Sequence, residues 1–505
     1  MDCHQGRSGS SCSARSTMGL ASLALVSVTL GSLAGYSTVV RSQQPAVIAP
    51  LVFDGVTVID VQWGRRLPAQ RVVIVGNRIQ AVGNARGVQV PAGARVVDAR
   101  GKYLIPGLWD MHTHLVRPAD SDLFHPLFIA NGVTGIRDAW SVTYIDTLLL
   151  WRREILAGTR VGPPRQLISG VALDEAGNKP CRRKQGTGHL CVTDPADARH
   201  VVDSLKAVGA DMIKTYELER TMYFAIAAEA RRVGIPFGGH LNPGVATAIE
   251  ASDSGARILD HVNTAGDLNG ICWATKAKMG RASVAQCRPV AERFRRNNTW
   301  WVPTLVSHWV DHDVKIGLGG PATHGIISRF NALGHTFWSE AVLTRDWLRD
   351  TASVASHARP SRPGTSADSE ANMNVDGGFL RIVQQVQLPI LAGTDVHSYP
   401  DEREKEPPGG FALHMELALM VAMGLTPLEA LQAATLNPAK FLHATDSLGT
   451  VASGKLADLV LLDADPLADI TNTTMISAVV ANGRYFDRTA LDKLVADAQA
   501  KANGD

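Results

Sequence analysis

The sequence predicts an α/β protein: a (β/α)8 TIM barrel with a small β-sandwich formed by the N- and C-terminal segments. Three observations lead there. The middle of the chain alternates short apolar strands with helical stretches, as βαβ units do. β-rich text flanks that middle on both sides, and neither flank is long enough to close a core alone. The chain has 505 residues, room for one large barrel and a small companion.

The N-terminal flank runs from about Ile48 to Tyr103. Val72–Val75, Gly76-Asn77 and Arg78–Val82 read as a hairpin about a two-residue Gly-Asn turn. Arg95–Val97 and Tyr103–Ile105 add short strands. The matching C-terminal flank holds Ala457–Asp463 and Ile476–Val480. The expected domains are therefore 48–105 plus 445–490 as a composite β-sandwich, with 106–444 inserted between as the barrel.

Inside the barrel, strands are expected at Leu104–Leu115, Gly132–Asp138, Gln166–Ser169, Asp211–Lys214, Ile235–His240, Arg257–His261, Thr299–Leu305 and Pro389–Asp395. Helices are expected around Thr143–Leu156, Ala196–Val208, Glu219–Val233 and Val245–Ser254. Residues 170–194, 262–281 and 358–377 read as irregular. They follow strands 3, 6 and 7, so they fall on the rim where a barrel builds its active site.

Composition excludes several classes. The chain is 45% hydrophobic and 19% charged, with a formal charge of +2. No basic run with interleaved aromatics marks a nucleic-acid surface, and no apolar run in the body is long enough to span a bilayer. The expected partner is a small-molecule substrate, without nucleic acid and without stable membrane insertion after processing; homo-oligomer formation stays open. Arg7 and Arg15 precede an uncharged stretch from Met18 to about Ala34, closed by Ser32-Leu33-Ala34. Residues 1–34 thus read as a signal peptide, and the mature protein as exported, periplasmic or secreted. Of six Cys, Cys3 and Cys12 leave with that leader. The other four favour two local disulfides, Cys181 with Cys191 and Cys272 with Cys287.

The chemistry concentrates at strand ends. In a strand, residues i and i+2 share a face, so His112 and His114 project together. Lys214, His240, His261 and Asp395 also fall at carboxyl ends of expected strands, which a barrel gathers into one mouth. Imidazoles and a carboxylate suit zinc or a similar divalent ion. Taken singly, His240 and His261 read as core histidines, Asp395 as a helix cap and Lys214 as half of an ion pair. Together they read as a metal site. An ammonium has no place beside a cation, but a desolvated lysine with a lowered pKa can be carboxylated and become an anionic bridge. Arg137 and Asp138 close strand 2 and read as a structural pair. His414 lies on an amphipathic stretch, which argues for packing.

These residues carry a family resemblance. PGLWDMHTH at 106–114, GADMIK at 209–214, GGH at 238–240, LDH at 259–261 and AGTD at 392–395 resemble the amidohydrolase superfamily. So do GLTPLEALQAATLNPAKFLH at 424–443 and LGTVASGKLADLVLLD at 448–463. Within it the chain looks most like the imidazolonepropionase-like and prolidase-like group. The resemblance implies that His112, His114 and Asp395 hold one Zn2+, that His240 and His261 hold a second, and that carboxylated Lys214 bridges them. It further implies a metal-dependent hydrolase, with a metal-activated hydroxide cleaving an amide or peptide C–N bond of a dipeptide or N-acyl amino acid. Asp395 is expected to move the proton as base and then acid. Tyr216, His308, His397 and His312 are candidate substrate or oxyanion residues. Other readings are a lactonase or esterase on the same two-ion site, a one-ion cyclic-amide hydrolase or deaminase, and a non-catalytic binding protein. A one-ion site needs no bridge, and Lys214 argues against it.

Overall fold

The computed structural model describes residues 49–114, 118–175, 188–262, 264–272, 283–307, 379–395 and 409–503. The expected signal peptide, Cys181, His308, His312, His397 and the 358–377 segment lie outside the described residues. The described residues all fall in one compact unit.

The N-terminal flank folds as β1 (Leu51–Asp60), β2 (Arg65–Val75), β3 (Arg78–Asn84), β4 (Arg95–Asp98) and β5 (Tyr103–Pro106). β2 and β3 pair antiparallel up to Val75 opposite Arg78, so Gly76-Asn77 is the two-residue turn, with Gly76 at φ 58°. The barrel segment supplies β6 (Leu108–Thr113), β7 (Val133–Asp138), β8 (Arg165–Ile168), β9 (Ala172–Glu175), β10 (His189–Val192), β11 (Ile213–Thr215), β12 (Phe237–Gly239), β13 (Ala256–Asp260) and β14 (Trp300–Val302). The chain returns through β15 (Leu459–Leu462), β16 (Ile476–Ala481) and β17 (Arg484–Asp487).

The two flanks meet. β15 pairs antiparallel with β5, placing Val460 opposite Ile105, and an eight-stranded sheet runs β17-β16-β15-β5-β1-β2-β3 with β4 beside β1. Leu51, Phe53, Val72, Leu104, Leu459 and Val480 bury their side chains in its core. The hydrogen bonds describe one continuous sheet and do not by themselves divide it into the two layers of a sandwich.

The middle of the chain is of TIM-barrel type, with α/β content. Its parallel strands are written in two sheets, β6-β7-β8 and β10-β9-β11-β12-β13-β14, and not as one closed ring. Further backbone bonds link these sheets to each other and to the eighth segment. Asp211 donates to the Ile168 carbonyl at 2.8 Å, and Met111 to that of Ala392 at 2.9 Å. Trp301 and Ile390 form an isolated parallel bridge.

Helices follow where the periodicity places them, at Ile145–Ala157, Pro195–Val208, Arg220–Val233 and Ala248–Ser254. Asp194 caps the second of these, and Thr247 with Glu250 forms a capping box on the last.

Three expectations change. Residues 170–194 hold two strands, β9 and β10, paired in parallel, and β9 also pairs with β11. The seventh strand stops at Val302 and does not reach Leu305, because Thr304 turns to φ 50°. The eighth segment is a bridge followed by a turn, with Asp395 at φ 61°.

Cys272 and Cys287 are disulfide-bonded, as the local pairing anticipates. Cys191 is also disulfide-bonded. The Cys272–Cys287 link closes a loop of 15 residues, for which chain entropy gives about 3 kcal/mol. Replacing both cysteines with alanine is expected to lower the unfolding free energy by roughly that amount, read from urea denaturation under oxidising conditions. An unchanged midpoint would assign the bond no role in stability.

Candidate metal centre

β6 delivers His112 and His114 to the same side by its pleat, both buried. The Nδ1 of His114 lies 3.2 Å from the Trp140 carbonyl. A carbonyl only accepts, so Nδ1 carries a proton, and the neutral ring would offer its Nε2 lone pair to a metal ion. That Nε2 lies 2.8 Å from Asp395 Oδ1 and 3.2 Å from His112 Nε2. His112 Nε2 is itself 3.2 Å from Asp395 Oδ1. Electron-rich atoms converge here on one point, an arrangement that a cation stabilises. His112, His114 and Asp395 thus form one group with metal-ligand geometry.

The approach of the eighth segment to β6 depends on small and buried polar groups. A Cβ on Gly393 would sit 2.8 Å from the His112 nitrogen and 2.6 Å from a Val302 methyl carbon, so only glycine fits. The buried Asp110 accepts from Thr394 Oγ1 at 2.7 Å, Thr394 N at 3.0 Å and His112 N at 3.1 Å. Burial pushes its carboxyl up to about 7, against the pull of those bonds.

A second group joins His112, Asp260 and His261. His261 follows β13 at φ 64°, and its Nδ1 lies 2.7 Å from Thr304 Oγ1. His240 follows β12, and its ring lies edge-on to that of His261 with centroids 4.6 Å apart. Burial lowers the pKa of both histidines, that of His261 to about 3. Each is therefore neutral at physiological pH, the state a metal ligand requires. β12 is Phe-Gly-Gly because a Cβ on Gly239 would lie 2.7 Å from Lys214 Cδ.

Lys214 projects from β11 into the same interior, fully buried. Its Nζ donates to Asp260 Oδ2 at 2.5 Å. Arg137 grips the same carboxylate with both ends of its guanidinium, at 2.8 and 3.0 Å. Arg137 thus pairs with Asp260 and not with its neighbour Asp138, which corrects the pairing read from the sequence. Burial lowers the Lys214 pKa although Asp260 opposes it. Burial also pushes Asp260 up, but Arg137, Lys214 and His112 together hold it well below the usual carboxylate range.

Sequence reasoning missed Asp260. Its only signal was the residue before His261 in Leu-Asp-His. Alternation points it away from that histidine and towards Lys214. Tyr216 stands at the edge of the centre, its ring 4.3 Å from that of His240. His414 is structural: its ring nitrogens lie 2.9 Å from Thr473 Oγ1 and 3.1 Å from the Asn131 carbonyl.

The fold is of TIM-barrel type, and its strand ends carry two candidate metal-binding groups. A model of the amidohydrolase family matches residues 379–485. Imidazolonepropionase of Haloarcula marismortui is 27% identical over 83% of this chain and 91% of its own length. Dihydroorotase of Mycobacterium leprae is 28% identical over 40% of this chain, and the alignment spans 53% of that relative, about half its length. A Xaa-Pro dipeptidase structure with bound methionine superposes with a TM-score of 0.59 at 18% identity, covering 87% of this chain and all of that one. This last likeness concerns the fold. The family match over residues 379–485 and the likeness to imidazolonepropionase over most of the chain together support a member of the amidohydrolase superfamily.

Asp260→Asn tests the buried charge set. It leaves Lys214 and Arg137 without their carboxylate, for which a loss of about 3–5 kcal/mol is expected, measured by denaturant unfolding of the metal-free protein. A loss below about 1 kcal/mol, the range of an exposed pair, would show that the three groups do not depend on one another.

Proposed function

We propose that the protein is a metal-dependent hydrolase that cleaves an amide or peptide C–N bond in a dipeptide or N-acyl amino acid. The observation that carries this reading is the convergence of His112, His114 and Asp395 on one point at the strand ends. The donor set fits zinc: two imidazoles and a carboxylate, with the outer nitrogen of His114 bound to a backbone carbonyl. Two ions per chain are the reading that Lys214, His240 and His261 favour, with a carboxylated Lys214 between them. When bound, such ions polarise a carbonyl and lower the pKa of water.

Asp395 moves the proton. Its Oδ1 faces the two histidines, while Oδ2 accepts from Ser307 Oγ at 3.1 Å. Oδ2 is therefore the oxygen on which a proton travels from the attacking water to the leaving amine. Burial of His240 and His261 keeps them from competing for that proton. Tyr216, beside His240, is placed to meet the substrate carbonyl. Residues 1–34 support export, where the enzyme would act on peptides or acylated amino acids outside the cytoplasm.

A second reading rests on the ion pair between Lys214 and Asp260. An ammonium held by a carboxylate is the state expected beside a single ion, and a one-ion hydrolase of cyclic amides follows from it. Lactone or ester cleavage is a third outcome for the same donor set.

The test is hydrolysis of a mixed library of dipeptides, N-acyl amino acids, cyclic amides and lactones by zinc-loaded mature protein, read by mass spectrometry. Cleavage restricted to linear amides supports the proposal. Turnover of lactones or cyclic amides alone overturns it. Asp395→Asn is expected to lower kcat roughly 100- to 10,000-fold while zinc content, read by elemental analysis, is retained. Near-normal turnover in that variant would remove Asp395 from proton transfer.

A further inference from the structure

The helix after the eighth segment, Phe411–Ala422, carries a carboxylate into the apolar interior. Glu416 is fully buried. Its Oε2 accepts from the Val306 nitrogen at 2.8 Å, and the Leu305 nitrogen also donates to this carboxyl. Its Oε1 has no hydrogen-bond partner among the described residues. A buried carboxyl half unsatisfied is costly, and neither packing nor helix propensity accounts for it.

What it holds explains its presence. The chain leaves β14 and turns at Thr304, which sits at φ 50°, an unfavourable conformation for a β-branched residue. The next residues turn helical, and the nitrogens of Leu305 and Val306 emerge away from water, where each needs an acceptor. Glu416 supplies it. On one side of this turn, Thr304 Oγ1 lies 2.7 Å from His261 Nδ1. On the other, Ser307 Oγ donates to Asp395 Oδ2 at 3.1 Å. One turn thus contacts two residues of the centre, and Glu416 fixes the turn from behind.

We propose that Glu416 is a positioning residue: by holding the Leu305–Val306 turn it sets Thr304 against His261 and Ser307 against Asp395. This rests on the reading of His261 and Asp395 as site residues. Burial pushes the Glu416 carboxyl up to about 8, towards its neutral form. Glutamine mimics that form and keeps the acceptor oxygen.

The test uses E416L, which keeps bulk and removes the acceptor, and E416Q, which keeps it. In metal-free protein labelled with 15N-histidine, with His261 assigned through H261N, E416L is expected to shift the His261 ring nitrogens towards their values in T304V. The remote His443 should stay in place, and E416Q should match wild type. In zinc titrations against a chromophoric chelator, E416L should weaken the ion that depends on His261 about 10- to 100-fold, and adding T304V should weaken it no further. E416L that only melts earlier, with His261 resonances and zinc affinity unchanged, would reduce Glu416 to a packing role and overturn the proposal. Should E416L not fold, E416D, which withdraws the acceptor by one methylene, is read in the same way. If wild type takes up no zinc, the metal reading fails, while the ring-nitrogen comparison still decides the positioning role.

Discussion

The buried carboxylate of Asp260 is the constraint on which the centre depends. It ends β13, accepts from Lys214 on β11, accepts twice from Arg137 on β7, and lies 3.4 Å from His112 Nδ1 on β6. Four strands thus converge on two oxygen atoms. None of Asp260, Arg137 and Lys214 is accessible to solvent. Each would carry a large desolvation penalty alone, and together the two cations repay the cost of burying the anion. An apolar substitute of similar size could pack the same space. It could not hold an amine and an imidazole at fixed positions beside a metal site.

Much of this was legible in the sequence because strand chemistry is local. Alternation makes His112 and His114 neighbours whatever the tertiary fold, and the Gly76-Asn77 turn needs only the residues around it. The helix ends follow from nearby caps such as Asp194 and Thr247. The pairing of the two flanks could be inferred because neither closes a core alone. What could not be read depends on distant partners. Arg137 lies beside Asp138 in sequence, yet its guanidinium reaches Asp260, 123 residues away. Residues 170–194 carry Gly, Pro and Lys in the text of a loop, but their ends pair with each other as β9 and β10, and β9 joins β11. Glu416 accepts from Val306, in the turn after β14 and 110 residues earlier.

Lys214 shows how one residue serves two readings. Paired with Asp260, it is an ammonium that neutralises a buried carboxylate. Carboxylated, it is an anion, and Asp260 would then depend on Arg137 alone. Burial lowers the amine's pKa while Asp260 raises it. The balance is shifted by any cation that approaches, since positive charge disfavours the ammonium and favours its conversion to an anionic ligand. The bidentate grip of Arg137 on Asp260 does not itself require the lysine to stay charged.

Three residues at the strand ends share a backbone feature. His261, Thr304 and Asp395 have φ of 64°, 50° and 61°. Left-handed conformations are unfavourable for side chains that carry a Cβ, above all for β-branched threonine. Such conformations persist only where the surroundings over-determine them, and here the surroundings are visible. His261 N donates to Val302 O at 2.7 Å and Asp395 N to His112 O at 2.7 Å, while Glu416 holds the residues that follow Thr304. A strand that continued straight would carry each side chain past the interior to the rim. The turn to positive φ bends it back instead, so that the His261 imidazole meets the Thr304 hydroxyl at 2.7 Å and the Asp395 carboxylate lies 3.6 Å from the same ring nitrogen. The strain lies in the backbone of the residues that form the centre, and the hydrogen bonds of the surrounding chain hold it there.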